Sequence, residues 1–375
     1  MRTREAVLDY QLTKSDTATY EKDLDLEDPI SALGIWVSCA NGTTSNKANT
    51  IEDIVTKIEI VDGSEVLFSA NMFELAALEF HKTGKMSNGY PSEWPSGNQS
   101  CNPMILFGRK KWDQQYAFDP KAFRNPQLKV SLNKAAVRAA SATTAFGIGD
   151  TIKVGLVAHL MENMGSRPAK FLTLKQINSW TSGTSGDRRI ELPTDFPYRL
   201  LQLRAYLYTY GIKELISNMK LECDSGKFIA FNRKVEDLNA EALAQFGYGR
   251  KKHDLFISND EEGQLIFNGE PTFTIYDTVQ NLFNIIGSPY AWDSRVKLWI
   301  GTNAGVADGT DRSYLVSEFG HLPYAVQPYA FGDMNDESTW FNPKEFGKVE
   351  LVVTEAVAGV CSISLEQVRP NMKLG

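Results

Sequence analysis

The residues of this chain best equipped for chemistry are four histidines, four cysteines and two short basic runs. His81, His159, His253 and His321 could each move a proton or bind a metal through a neutral ring nitrogen. Either task needs partners at fixed spacing, as in HExxH, and none of the four stands in such a pattern. A hydrogen-bonded or solvated imidazole is the expectation for each. Cys39, Cys101, Cys223 and Cys361 make no CxxC pair, which predicts reduced, mostly buried thiols of a reducing cytoplasm rather than a metal or disulfide framework. Ser182-Gly-Thr-Ser-Gly186 surrounds serine with glycine, but its spacing departs from the G-x-S-x-G elbow and its setting is polar. Gly147-Ile-Gly149-Asp150 precedes a strand, whereas a nucleotide loop would follow one, so it reads as a turn. Asp308 and Asp311 hint at a cation-binding loop but miss the twelve-residue calcium pattern, leaving a solvated loop as the reading. A carboxylate pair for glycoside hydrolysis needs only proximity in space, and no spacing marks one. The search therefore assigns no catalytic, cofactor-binding or metal residue. It points to a binding or structural protein rather than an enzyme.

The basic runs are Arg109-Lys-Lys111 beside Trp112, and Arg250-Lys-Lys-His253 beside Tyr248. Cations interleaved with aromatics can hold nucleic acid or lipid headgroups. The chain as a whole carries a net charge of −7, which opposes coating a genome, so solvated or inter-subunit surface is the expectation. MRTREAVLDYQLTKSD has no apolar core and is not expected to be a signal peptide. The most apolar late run, VELVVTEAVAGVCSISL, carries Glu350 and Glu355 and does not read as a bilayer span. Asn41-Gly-Thr43 and Asn98-Gln-Ser100 match the glycosylation pattern by chance on this reading.

The elements that would position these residues come in two sets. The chain has 375 residues, 42% hydrophobic and 11% aromatic, enough for two β-rich cores. Internal repetition is visible in four echoes. Leu24-Asp-Leu26 matches Ile190-Glu-Leu192, each followed by an apolar run, ISALGIWVS or YRLLQLRAYLY. In the latter, Leu201, Leu203, Ala205 and Leu207 alternate with Gln202, Arg204, Tyr206 and Tyr208, the period of a half-buried strand. TKIEIVDGSEVLFS (56–69) matches SNMKLECDSGKFIAF (217–231) as strand, tight turn, strand. A helix follows each. In NMFELAALEFHKTG, Asn71 and Glu74 form a capping-box pattern, Phe73, Ala76, Ala77 and Phe80 share a face, and Lys82 and Gly84 read as the stop. VEDLNAEALAQFGYG places Leu238, Ala242, Leu243 and Phe246 similarly, with Gly247 as its stop. Leu128–Leu132 is matched to Val296–Ile300, and Lys153–Val157 to Lys348–Val352. The widening offset puts extra residues between those last two matches, in 301–313 and 321–343. Both stretches read as loops, like 85–103. Short strands without regular helical alternation predict an antiparallel sandwich. A jelly roll accommodates eight strands with long end loops. The division is placed at 164/165, giving 1–164 with an N-terminal arm and 165–375. Residues 1–20 are left open between an arm and a first edge strand using Ala6–Leu12.

RRIELPTDFPYRLLQLRAYLYTYGIKELISNMKLECDSGKFIAFN resembles the opening of the second barrel in double jelly-roll major capsid proteins of tailless icosahedral viruses. These include bacteriophages with an internal membrane and, more distantly, the adenovirus hexon. DIVTKIEIVDGSEVLFSANMFELAALEF resembles the matching part of the first barrel. The resemblance is firmest over 50–82 and 188–246. It implies two tandem eight-stranded antiparallel jelly rolls, each with a short helix and long end loops. It also implies homotrimers that imitate hexamers and tile a virion shell, assembled in the host cytoplasm. Implied partners are neighbouring trimers, minor capsid, vertex or membrane proteins, and an inner membrane at the barrel base, with no direct nucleic-acid binding. Tandem jelly rolls also serve in carbohydrate-binding or carbohydrate-cleaving proteins, which is the alternative. A host-attachment spike would show a fibrous repeat, and none is visible.

Overall fold

A computed structural model describes residues 1–46, 49–140, 145–149, 151–208, 210–257, 262–277, 283–286, 295–297, 301–303, 306–307 and 312–372. Its first half contains β1 (Arg2–Lys14), β2 (Thr17–Asp23), β3 (Ile30–Ala40), β4 (Val55–Asp62), β5 (Glu65–Ala70), helix α1 (Met72–Thr83), β6 (Asn98–Asn102), β7 (Pro126–Asn133) and β8 (Ile152–Glu162). They form two facing sheets in the orders β1-β8-β3-β6 and β2-β7-β4-β5. The second half contains β9 (Lys170–Thr181), β10 (Gly186–Leu192), β11 (Tyr198–Tyr206), β12 (Ile216–Cys223), β13 (Phe228–Lys234), helix α2 (Val235–Phe246), β14 (Val326–Ala330), β15 (Val349–Glu355) and β16 (Val360–Pro370). Their orders are β9-β16-β11-β14 and β10-β15-β12-β13. Each strand of the second set thus occupies the place of the strand eight numbers earlier. The fold is two tandem antiparallel jelly rolls.

Local chemistry explains the parts. β7 alternates buried and half-buried residues along its whole length. Leu128 and Val130 join Ile58, Ile60, Val154 and Leu156 in the first core. Leu201, Leu203 and Ala205 join Met219, Leu351 and Ile363 in the second. Each hairpin turns through left-handed residues: Gly63 at φ 62° in the first, Asp224, Ser225 and Gly226 in the second, conformations that short polar residues and glycine tolerate best. In α1, Asn71 Oδ1 accepts from the Glu74 N–H at 2.8 Å, and Glu74 Oε2 accepts from the Asn71 N–H at 3.1 Å. The helix stops at Gly84, whose φ is 68°. α2 has no such side-chain cap, and stops at Gly247 with φ 72°.

Several expectations need correction. The strand at 128–132 corresponds to β15, and the strand at 153–157 to β16, so the last two sequence echoes are mis-paired. Val296 lies instead in a short strand, Arg295–Lys297, paired with Glu262–Gln264. Short apolar alternations resemble one another too closely to fix a register. The extra material of the second copy sits earlier than expected, between α2 and β14. There Gly249–Ile257, Phe267–Asp277, Phe283–Ile286 and Arg312–Pro323 build a separate four-stranded sheet. Residues 321–343 are not all loop, because β14 runs through them. Among the described residues β14 pairs only with β11, and such an edge strand tolerates Pro328 without loss of a ladder bond. Residues 85–103 likewise include β6 and the short strand Asn88–Tyr90. At the N-terminus the edge-strand alternative holds: β1 pairs with β8 from Arg2 to Lys14, with bulges near Asp9. Residues 301–313 are not all loop either: Gly301–Asn303 pairs with Val306–Ala307, and a strand begins at Arg312; Asp308 and Asp311 lie outside the described residues, as does Asp150.

Candidate functional site: a charged seam and two open edges

The two barrels meet along one edge of each. β5, at the rim of its sheet, runs parallel to β9, with Ser69 opposite Lys175. Thr173 Oγ1 donates to the Leu67 carbonyl at 2.5 Å, and the Gln176 N–H to Ser69 Oγ at 3.3 Å. This junction fuses a sheet of each barrel into one eight-stranded sheet.

α1 lies over the junction and carries its charges. Glu74, already capping its own helix, accepts through Oε1 from the Ser362 hydroxyl at 2.5 Å and from Gln176 Nε2 at 3.1 Å, both in the second barrel. In the last turn of the helix, His81 Nδ1 lies 3.1 Å from Gln202 Nε2. Burial pushes the His81 imidazole down to about 3, so it is neutral at physiological pH. Lys82 Nζ meets Glu366 Oε1 at 2.5 Å, and Glu366 also pairs with Arg199. All three side chains are at most 2% exposed. Burial lowers Lys82 to about 8, with Glu366 pulling the other way. Burial raises the Glu366 carboxyl, but Arg199 and Lys82 outweigh it and hold it below the usual range. Lys82 also donates to the Leu106 carbonyl at 2.7 Å, and Arg199 Nε to that of Met334 at 2.9 Å.

A second clasp joins the foot of the 249–323 insertion to the first barrel. The Asp254 N–H donates to the Pro91 carbonyl at 3.2 Å, and its own carbonyl accepts from the Glu93 N–H at 3.1 Å. Tyr90 Oη donates to Asp254 Oδ1 at 2.5 Å, Lys251 Nζ to the Ser87 carbonyl at 2.7 Å, and Tyr324 Oη to Glu52 Oε1 at 2.8 Å. Together the two contacts fix the barrels relative to each other.

The residues singled out by sequence are scattered through this frame. His159 pairs with Glu5 at 3.0 Å, and His253 with buried Glu318 at 3.1 Å. His321 is buried edge-on to Tyr248, their ring centroids 6.1 Å apart. Among the described residues no three His, Cys, Asp or Glu groups stand where they could hold a metal. All four cysteines are buried, and none of them forms a disulfide. Ser182 donates to the Val357 carbonyl at 2.7 Å, a loop-bracing contact. Arg109 is spent on Asp113 at 2.8 Å and the Asn335 carbonyl at 2.8 Å. Lys111 reaches Glu5 at 3.3 Å. The second basic run lies on a strand, so Lys251 and His253 turn inward while Arg250 and Lys252 face out. Sequence reasoning missed the Lys82–Glu366–Arg199 triad. Lys82 was legible only as a helix-end cation. The available signal was Glu366 itself, a charge inside the apolar run of β16.

Two edges remain open. Among the described residues nothing pairs with the outer side of β1 or of β13. Val7 and Tyr10 are 63% and 76% exposed on β1, and Phe228 and Ile229 are 47% and 49% exposed on β13. Their counterparts in β9 and β5, covered by the seam, include Leu172, Leu174, Leu67 and Phe68, all at 1% or less. α2 shows the same contrast: Glu236, Asp237 and Glu241 are exposed where Phe73, Glu74 and Leu78 of α1 are turned into the seam.

No protein-family model matches the sequence, and no curated protein matches it. Solved structures do match. A chain of Sulfolobus turreted icosahedral virus shares 12% identity at TM-score 0.61, over 98% of this chain and 90% of that one. The major capsid protein P2 of bacteriophage PM2 shares 9% at TM-score 0.54, over the full length of both. A chain of the PBCV-1 virus capsid shares 10% at TM-score 0.55, over 100% of this chain and 96% of that one. At such identities the likeness is one of fold: from end to end, this chain has the double jelly-roll architecture of those viral capsid proteins.

Proposed function

We propose that this chain is the major capsid protein of an icosahedral virus, and that three copies close into a ring of six barrels. The observation that carries this reading is the seam and its missing repeat. Within the chain, β5 of one barrel meets β9 of the next in a head-to-tail contact. A head-to-tail contact repeats until it closes. The equivalent strands, β13 and β1, are open and carry exposed Phe228, Ile229, Val7 and Tyr10 among polar residues, so β13 of one copy would meet β1 of another. Six barrels, two from each of three chains, then complete a pseudo-hexameric homotrimer.

Residues 1–164 and 165–375 are the two tiles of that ring, joined by the segment between β8 and β9. The insertion and the 85–103 segment lie at one end of the barrels, the 107–125 and 331–348 segments at the other. On this reading the first end faces outward and the second faces the virion interior, where an inner membrane and minor or vertex proteins would lie. The full-length likeness to the PM2 protein supports a tailless bacteriophage of the adenovirus-hexon lineage, and assembly in the host cytoplasm goes with it. The role is structural rather than enzymatic.

Light scattering of the purified chain tests the proposal. The expected mass is three times 41.9 kDa, with a hexagonal outline in negative-stain images. A protein that stays monomeric at micromolar concentration and binds glycans would overturn it in favour of the carbohydrate-binding alternative.

A further inference from the structure

At the foot of the insertion, between the two barrels, the chain lines a partly open cavity of about 70 Å³. At 10–15 Å³ for each water-sized sphere, it has room for roughly five non-hydrogen atoms. Arg204 of β11 reaches into it. Leu203 and Ala205 turn to the barrel core, so the pleat directs Arg204 the opposite way. Its guanidinium is held by the rings of Phe73 and Tyr206, with centroids at 4.2 and 5.2 Å. Aromatic faces attract the charge but accept no N–H bond in its plane. Arg204 Nε is buried with no acceptor, and no ion pair within 4.0 Å serves the group among the described residues. Asn49 Oδ1, on the same wall, is also buried without a partner. The remainder of the lining combines apolar Leu265 and Ile266 with Glu93, His253 and Asp254, and the last is engaged by Tyr90.

A planar cation and aliphatic carbon in one lining suit a ligand that carries both an anion and an alkyl group. We propose that this cavity binds a small aliphatic monocarboxylate, its carboxylate accepting from Arg204 and its alkyl end lying on Leu265 and Ile266. Guanidinium and carboxylate match in geometry, two donors against two acceptors. Asp53 also lines the cavity, accepting from the Thr50 N–H at 2.8 Å. Burial pushes its carboxyl up to about 6, against the pull of Thr50 and Arg204. A bound anion therefore faces a neighbour that takes a proton readily. Phe73 and Asn49 belong to the first barrel, Arg204 to the second, and Leu265 and Ile266 to the insertion. The ligand would thus tie all three together.

The test is titration of the full-length protein with acetate, propionate and butyrate, followed by calorimetry and thermal melting. Acetamide and inorganic phosphate serve as comparators, one lacking the charge and the other the alkyl end. Saturable binding of a monocarboxylate is expected, with a rise in melting temperature and affinity at least about tenfold above either comparator. Arg204→Gln should lose that affinity by about the same factor. Should that variant fail to fold, crystals of the unaltered protein soaked in propionate decide the matter: density for the carboxylate on Arg204 supports the site, and water alone in the cavity overturns it. No saturable binding of any of the three acids, or equal binding by Arg204→Gln, also overturns it.

Discussion

Placing a lysine on either open edge should dissolve the trimer and leave the monomer intact. The substitutions are Val7→Lys on β1 and Ile229→Lys on β13, side chains 63% and 49% exposed in the single chain. Full burial of such a side chain contributes about 1.5–3 kcal/mol. Covering only the fraction still exposed is worth about 1–2 kcal/mol. A lysine at the centre of the contact forfeits that and adds the cost of desolvating an ammonium, for a loss of about 2–3 kcal/mol at each interface. A closed trimer repeats the interface three times, so the sum is about 6–9 kcal/mol, or roughly 10⁴–10⁶ in the trimerisation constant. Sedimentation equilibrium across a hundredfold concentration range would read this directly. The melting temperature of the monomer should stay within about 1 °C, because surface substitutions away from packed features cost little. Tyr248→Lys, on the insertion and 52% exposed, is the control and should leave the trimer alone. Trimers of both edge variants as tight as the unaltered ones would refute the edge-to-edge reasoning, as would a control that disrupts assembly more than they do.

Glu366→Gln leaves Lys82 and Arg199 buried without their shared anion and should cost about 3–5 kcal/mol. For a chain of 375 residues that is about 4–6 °C by calorimetry. Replacing all three by Met, Met and Leu should recover most of it, and failure to do so would deny the coupling. His81 should make stability fall with acid. Its unfolded value near 6.5 lies above its folded value of about 3, so the unfolded chain binds the proton first, and stability drops as pH falls from 6.5 toward 3. At pH 5 the loss is about 2 kcal/mol, and His81→Gln should remove that part of the slope in urea titrations. Gly332→Ala should cost well over 1 kcal/mol, because φ is 76° and a Cβ would sit 2.5 Å from the Thr339 carbonyl oxygen. Gly63→Ala has a similar φ of 62° but open space within 4 Å, and should cost only about 1 kcal/mol in the same urea titrations.

What could be read from the chain was whatever local physics encodes. The hairpin at 56–69, the capping box of Asn71 and Glu74 and the glycine stops at 84 and 247 are each set by residues within a few positions of one another. Alternation in β11 gave its core face correctly but misjudged the other one. Gln202 is fully buried, because that face meets α1 rather than solvent. Nothing near residue 202 in sequence says so, since His81 is 121 residues away. The triad was hidden for the same reason: Lys82, Arg199 and Glu366 come from three distant segments, and each alone has an ordinary surface explanation. The two late echoes failed because a five-residue apolar alternation carries no address. Only pairing partners distinguish β15 from the short strand at 295–297.

The character of the seam suits what the proposed closed ring would demand. β5 and β9 share a single bridge pair, so backbone pairing alone sets their register weakly. An apolar contact of that kind would tolerate sliding and tilting. Glu366 removes the freedom, since one carboxylate must meet Lys82 from the first barrel and Arg199 from the second. Any slip that loses either partner leaves a charge buried and uncompensated, which costs more than the pair gains when correctly made. The triad therefore acts less as glue than as a penalty on wrong orientations. That distinction would matter in the proposed ring of six barrels, where the intrachain seam would be the template for the others. An angular error at one junction recurs at every second one, and the ring fails to close. Between chains, where β13 and β1 would meet, the equivalent helix α2 carries Ala242, Ala244 and Gln245 in place of Glu79, His81 and Lys82. Counterparts of the buried helix-end cation are absent there, and the open edges and α2 mix apolar Val7, Tyr10, Phe228 and Ile229 with exposed charges such as Arg2, Arg4 and Glu236. In the proposed assembly, rigid geometry inside the chain and adaptable contact between chains would let one building block fit more than one curvature of a shell.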